Sequence, residues 1–477
     1  MDVKTPIIAI LVTLDTKECE GHYLKERISA HGGKGLLVDL SMRKYSPKLG
    51  VPDIDNDTVA RAAGSTIDEV SNLERAKAQE IMIKGATKIL KELLARGELD
   101  GAIGLGGSTG LRLITDIMSE LPMFIPKFAV TTIISEAGSV IAGSDIVPIW
   151  SISDLTGGEK VNIIEAEVLN RAAAAVVRAA APAPYTIEKR PTVFATQFGV
   201  TTPHLIIAKD YLTSQGYDFI SFHALGITGG YTMERLIEAG MAVGVLDVTT
   251  AEVMNEVAGG VLVASVRGKL RLTAAGRLGI PQVLLPGGVD IINFWSPQTV
   301  PEKYRGRCMY EHSKGLVTLV KPDAEQMYMT GKLMAERLNQ AVGPTVFIFP
   351  LRGFDTYDND PTVKPKVAPP GVYCQRMCVE DGTVVFKPTD KPWHDPILDL
   401  HLLKALLDHL DLTSPNIELL VIDYNLNDPE VAFLSAKLLD SMIRKRWVKG
   451  QLPEVPGLQP ERIVRNPREL VMKYLNG

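Results

Sequence analysis

Residues 100–113 read DGAIGLGGSTGLRL: Gly104, Gly106 and Gly107 fall within four positions, Ser108 and Thr109 follow, and a helix-like run begins. Glycines between a buried strand and a helix start let the backbone come close to a ligand, and amides in that setting suit phosphate. Gly106 and Gly107 lack the Cβ that would hold an anion away, while Ser108 and Thr109 offer hydroxyls and N–H groups. The plainer reading is a tight strand-to-helix turn that holds nothing.

Two more polar stretches stand at the ends of apolar runs in the same third of the chain. One carries Thr13, Asp15, Thr16 and Lys17; the other carries Thr131 and Thr132, with Gly143, Ser144 and Asp145 shortly after. Ligands of open parallel sheets sit at the carboxyl ends of the strands. The three stretches are therefore expected to bring hydroxyls, one lysine and one or two carboxylates around phosphates, with Asp15 or Asp145 able to approach Mg2+. Taken alone, Asp15 reads as a helix N-cap and Lys17 as a solvated lysine. No GxxxxGK[ST] run occurs, and the glycine turn follows a later strand where a dinucleotide fingerprint would follow the first. An NAD site is disfavoured.

The second half of the chain carries its own set. His223 lies in FHALGITGG, Asp247 in GVLDVTTAE, Asp290 in PGGVD, and His312 shortly downstream. Imidazole and carboxylate at successive strand ends suit an active site. His223 or His312 would act as general acid/base with Asp247 or Asp290 as proton partner; alternatively two imidazoles and a carboxylate would hold a divalent metal. Each residue by itself reads as structural, a hydrogen-bonding histidine or a helix-capping aspartate.

The elements that must position these residues are legible as alternation. PIIAILVT, GLLVDL, DGAIGLG, KFAVTTI and DIVPIW read as strands in the first third, with amphipathic helical stretches between them. After the proline-rich APAPYTIEKRP at 181–191 the alternation restarts through TVFATQFGV, YDFISFHAL, MAVGVLDVT, IPQVLLPGG, GLVTLVK, TVFIFPL and ELLVIDY. This pattern predicts α/β architecture: two doubly wound, Rossmann-like parallel sheets in tandem. The domains are expected at 1–183 and 191–447, with a tail at 448–477. A (β/α)8 barrel is the rival for the second half. Tyr357 to Asp395 is proline-rich and reads as a surface excursion with a hairpin at YCQRMCVEDGTVVF.

Bulk properties narrow the classes. The 477 residues are 45% hydrophobic and 22% charged with a net charge of −5, so no basic surface points to nucleic acid. The N-terminal apolar stretch is far short of a membrane span and lacks a signal peptide's basic start. Four cysteines in so long a chain suggest a reducing, cytoplasmic compartment. Cys374 and Cys378 have no second pair nearby, which argues against zinc.

The ordered series VTLDTKECE, GLGGSTG, GSDI, SDLTGG, FGVTTP, FHALGITGG, GVLDVTTAE, GIPQVLLPGGVDIINF and NDPEVA resembles the Tm-1-like ATP-binding family from about residue 6 to about residue 445. The resemblance implies ATP with Mg2+ in the N-terminal domain, at Thr13, Asp15, Thr16, Lys17, Gly106, Gly107, Ser108 and Asp145. The expectation is a nucleotide-binding metabolic enzyme, of lyase or hydrolase type, acting on a small acidic or carbonyl substrate in the second domain. The alternative is a nucleotide-dependent protein-binding inhibitor or regulator without turnover. A homodimer is expected from the prevalence of cyclic pairs among soluble proteins.

Overall fold

The computed structural model describes residues 4–155, 157–181, 190–265, 268, 270–363, 369–381 and 383–475. The chain divides into two compact units, Met1–Ile187 and Glu188–Gly477. Most of the linker expected at 181–191 lies outside the described residues.

Unit 1 is built on five parallel strands: β1 (Ile7–Val12), β2 (Lys34–Asp39), β3 (Gly101–Gly106), β4 (Lys127–Thr131) and β5 (Val147–Trp150). Their order is β2-β1-β3-β4-β5. Strand β1 explains why the sheet is covered on both faces. Ile8, Ile10 and Val12 pack into one apolar cluster, and Ala9 and Leu11 into another. A strand buried on both sides reads as a continuous apolar run rather than an alternation, as IIAILV does. The order reverses between β1 and β3, so their carboxyl ends diverge there and open a crevice.

Unit 2 holds six parallel strands: β6 (Thr192–Gln197), β7 (Asp218–His223), β8 (Gly244–Thr249), β9 (Gln282–Gly287), β13 (Thr345–Pro350) and β16 (Ile417–Ile422). They are ordered β16-β13-β9-β8-β6-β7, an open sheet and not a barrel. Both units are thus Rossmann-like α/β folds.

Unit 2 also carries a sheet the alternation did not predict. Strands β10 (Ile292–Phe294), β11 (Met309–Ser313), β12 (Val317–Val320), β14 (Tyr373–Glu380) and β15 (Thr383–Pro392) pair antiparallel in the order β10-β12-β11-β14-β15. GLVTLVK is a strand, as expected, but of this sheet. The hairpin at YCQRMCVEDGTVVF is present, while the flanking segment is not wholly a surface excursion: Asp358 and Trp393 are fully buried. Proline content marked irregular backbone there and not exposure. The tail returns to unit 2, where Ile463 bridges Ile422 and Val471 is buried.

Candidate functional site

The β1/β3 crevice of unit 1 is a cavity of about 520 Å3, lined by Thr13, Asp15, Thr16 and Lys17 from one side and by Gly106 to Gly110 from the other. The glycine turn leads into the helix Ser108–Ser119, which starts at Gly107 with no side chain capping its first amides. Orphan amides and the positive end of the helix dipole are what a phosphate oxygen needs. A Cβ on Gly107 would meet only Thr132 Oγ1, at 3.6 Å, so this glycine keeps the cavity open rather than the fold intact. A Cβ on Gly106 would lie 2.8 Å from Gly110 Cα; that glycine serves strand-to-helix packing.

The β1 side is organised differently. The helix Leu14–Ala30 has Thr13 as its N-cap residue, with Asp15 in the first turn. Its leading amides are already taken: Leu14 N–H donates to Asp39 Oδ1 at 3.1 Å, and Asp15 N–H to Ser41 Oγ at 2.9 Å. Asp39 is buried, and desolvation pushes its carboxyl above the usual range against three hydrogen bonds from Ser41 and Leu14. An internal carboxylate thus fills this helix terminus and leaves Asp15, Thr16 and Lys17 as side chains facing the cavity. Lys17 has non-helical backbone angles (φ −136°, ψ 36°).

Two cations join from elements that the sequence did not connect to the site. Arg43, exposed beyond β2, and Arg75, at the start of the helix Arg75–Ala95, line the same cavity. Arg75 Nη2 donates to Thr109 Oγ1 at 2.7 Å. With Lys17 they set three positive charges against Asp15. Thr131 and Asp145 stand elsewhere. Thr131 is buried and accepts from Ile133 N–H at 3.2 Å, at the start of the next helix. Asp145 pairs with the buried Lys127 at 2.8 Å and accepts from Phe124 N–H at 2.5 Å.

The four residues expected to form an acid–base set in unit 2 have separate partners. His223, exposed at the end of the edge strand β7, lies against Phe198 with ring centroids 5.5 Å apart, and partial burial lowers its pKa. His312 Nδ1 is 2.8 Å from Tyr357 Oη. Asp247 is buried and receives two hydrogen bonds from Arg271, each at 2.7 Å, and one from Thr196 at 2.6 Å. Asp290 is buried and accepts from the Trp393 indole at 2.6 Å. Among the described residues no hydrogen bond or ion pair joins any two of the four. Nor do the described residues contain a group of three or more His, Cys, Asp and Glu placed to hold a metal.

The glycine loop after β7 has an internal occupant as well. Gly226 and Gly230 N–H groups both donate to Glu252 Oε1, at 2.8 and 3.0 Å, and Glu252 Oε2 is 2.6 Å from Arg271 Nε. Glycine and anion are present, as in a ligand loop, but the anion belongs to the protein.

Residues 6–183 match the family described as "Uncharacterised protein family (UPF0261) N-terminal domain", and residues 190–368 match its C-terminal domain. A "UPF0261 protein" of Clostridium tetani is 35% identical over 92% of this chain and 99% of its own length. The chain belongs to the UPF0261 family. Among its relatives, UPF0261 protein RA0729 of Rhizobium meliloti is 37% identical over 74% of this chain and 85% of that one. ToMV resistance protein Tm-1(GCR237) of Solanum lycopersicum is 28% identical over 98% of this chain and 60% of that protein, so the Tm-1-like resemblance holds.

The residues that sequence reasoning missed in this UPF0261 protein are Arg43, Arg75 and Arg271. None stands at a strand end with a glycine or hydroxyl beside it. Arg271 had a signal of a kind, an arginine in a stretch otherwise without charge partners, but its three carboxylates are 19 to 37 residues away. No helix among the described residues is long and apolar enough to cross a membrane.

Proposed function

We propose that this chain binds a nucleotide through its phosphates in unit 1, ATP with Mg2+ being what the Tm-1-like resemblance implies. The observation that carries the reading is the convergence of Lys17, Arg43 and Arg75 on an uncapped helix N-terminus at a topological switch point. Three cations against one carboxylate suit a group bearing more than one negative charge. Mg2+ fits the donor set through Asp15 alone, because it keeps several waters and takes the rest of its oxygens from phosphates. Asp145 is committed to Lys127 and has no part in this reading.

Turnover in unit 2 on a small acidic or carbonyl substrate is supported by His312, whose Tyr357 partner fixes one ring nitrogen and leaves the other for a substrate. Asp247 and Asp290 support it less, since both are held in internal pairs. That commitment favours the second reading, a nucleotide-dependent regulator that binds another protein.

Calorimetry with ATP–Mg2+ tests the phosphate site. Gly107→Val is expected to abolish binding while its circular dichroism and melting stay those of the wild type, because its side chain enters the cavity and no backbone. Binding of ATP by Gly107→Val at wild-type affinity would remove the turn from the site. His312→Ala separates the two readings: turnover falls by about a hundredfold or more if it is a general acid/base, and protein binding is untouched.

A further inference from the structure

Strands β14 and β15 form a long hairpin whose side chains are mostly exposed or half-buried. Its ladder to β11 consists of one pair, Met309 with Gln375, backed by Glu311 N–H donating to Gln375 Oε1 at 2.8 Å. Immediately beside that pair, Cys308 and Cys374 are joined by a disulfide. The reading of a chain with reduced thiols placed no bond here, because the two cysteines are 66 residues apart and only the fold brings them together. Cys374 is buried and Cys308 is half-buried.

The other end of the hairpin enters the interior. β15 runs directly into Trp393, which is fully buried and whose indole donates to Asp290 Oδ2. His394 follows, with Nδ1 2.9 Å from Asp358 Oδ1. Lys321 touches both ends of this arrangement. Its backbone N–H donates to the Cys308 carbonyl at 2.9 Å, and its Nζ donates to the Trp393 carbonyl. Cys308 packs on the small apolar cluster of Ile291, Leu319 and Trp393.

A ladder of one pair holds little by itself, and beyond it the hairpin rests on Met377 and Phe386, which are only partly buried against the core, so the disulfide is the covalent tie that fixes β14 beside β11. Elements with few buried apolar contacts open locally at low cost, independently of the core strands. We propose that Cys308–Cys374 is a redox clip whose reduction releases the β14–β15 hairpin and loosens Trp393 from Asp290. The reductant is an external dithiol. Its thiolate attacks Sγ of Cys308, the less buried residue; the S–S bond breaks, and Cys374 leaves as a thiolate that takes up a proton. The second thiol of the reductant then displaces Cys308, leaving two protein thiols and one oxidised dithiol. The parallel strands β8, β9 and β13 keep their own burial and are untouched.

The test is hydrogen-exchange mass spectrometry on the full chain, oxidised and then treated with dithiothreitol. Exchange in Tyr373–Pro392 is expected to accelerate about tenfold or more on reduction, with β8, β9 and β13 unchanged. In a 5-fluorotryptophan-labelled chain the Trp393 resonance, assigned with Trp393→Phe, should shift or broaden, and reoxidation should restore it. Cys308→Ser should match the reduced chain without reductant, and Cys378→Ser should match the oxidised wild type. Unchanged exchange on reduction would overturn the proposal, as would loss of protection throughout unit 2 together. So would four free thiols remaining after treatment with glutathione disulfide. Should Cys308→Ser not fold, the reversible reduction of the wild-type chain still decides.

Discussion

Arg75 and Thr109 are 34 residues apart, and the Arg75 guanidinium donates to the Thr109 hydroxyl at 2.7 Å across the mouth of the unit 1 cavity. The bond ties the start of one helix to the first turn of another. It also leaves the remaining guanidinium N–H groups of Arg75 beside the amides that a phosphate would meet.

Arg75→Ala and Arg43→Ala are each expected to weaken ATP binding by about tenfold, the loss of one charge-assisted contact. The wild-type affinity should fall as salt is raised, and the slope should flatten in each variant. Both side chains are exposed, so melting temperatures should hardly move. Calorimetry at two salt concentrations checks this. Affinities that match wild type at low salt would place both arginines outside the phosphate contacts.

Gly157 sets the geometry of Lys17 from a distant loop. It has φ +65°, donates its N–H to Glu20 Oε1 at 2.7 Å, and lies so near the first turn of Leu14–Ala30 that a Cβ would sit 2.0 Å from the Thr16 carbonyl oxygen. Gly157→Ala must therefore push that turn, and Lys17 with it. The expected result is weaker ATP binding together with a stability loss of roughly 1–3 kcal/mol. Combined with Lys17→Ala, the two losses of affinity should not add, since both act through one ammonium. Additive losses would separate Gly157 from Lys17.

How much of this was legible follows from how local each signal is. The strands of both parallel sheets were readable because a run such as IIAILV is buried on both faces and needs no partner to identify it. That the glycine turn and Thr13 to Lys17 line one cavity was readable because residues around a switch point stand at strand ends. Arg43 and Arg75 were not, since an arginine on a surface loop or helix start carries no local mark of what it faces. Asp145 and Asp247 were misleading for the converse reason: a strand-end carboxylate looks the same whether it awaits a ligand or, as here, has Lys127 or Arg271 as its partner. The antiparallel sheet was hidden because β10, β11 and β12 are short and because only the fold brings Met309 beside Gln375, far along the chain.

The carboxylates under Trp393 should make unit 2 lose stability as pH rises. Asp290 is pushed up to about 6 by burial and by Asp358, against the pull of Lys321. Burial with the neighbouring aspartates raises Asp355 and Asp399 well above the usual range, and Asp358 raises His394. Groups whose folded pKa lies above the unfolded value stabilise below the unfolded pKa, and that contribution is lost as pH climbs through the folded one. Asp358, lowered by Lys321 and His394, acts oppositely but only in strong acid. From about pH 4 to 6 each such carboxyl proton costs about 1.4 kcal/mol per pH unit, and His394 adds its own loss only above about pH 6.5. Among the described residues neither Asp399 oxygen accepts a hydrogen bond, and its carboxyl holds a proton toward Asp358. Asp399→Asn, whose amide can donate to Asp358, should therefore raise stability at pH 8 and flatten the slope. Urea unfolding at pH 5, 6.5 and 8 measures both; a slope unchanged in the variant would remove Asp399 from the titrating set.

Asp247 decides whether the strand-end carboxylates of unit 2 serve chemistry or the fold. Arg271 is fully buried, with Asp247, Glu252 and Glu234 at 2.7, 2.6 and 3.2 Å. Glu234 in turn accepts from the Leu272 and Ala274 N–H groups at 2.6 and 2.7 Å, so the same ionic cluster fixes the backbone that follows Arg271. Removing the arginine strands three buried carboxylates, whereas removing Asp247 leaves the guanidinium still paired with two. Arg271→Ala is therefore expected to cost about 3–5 kcal/mol or to prevent folding, with Asp247→Ala costing less. His223→Ala, on an exposed side chain, should stay within about 0.5 kcal/mol of wild type. The order Arg271, Asp247, His223 in urea unfolding is the structural signature. Were Asp247→Ala as stable as wild type yet devoid of turnover, the carboxylate would be a working acid–base group and the ion cluster incidental.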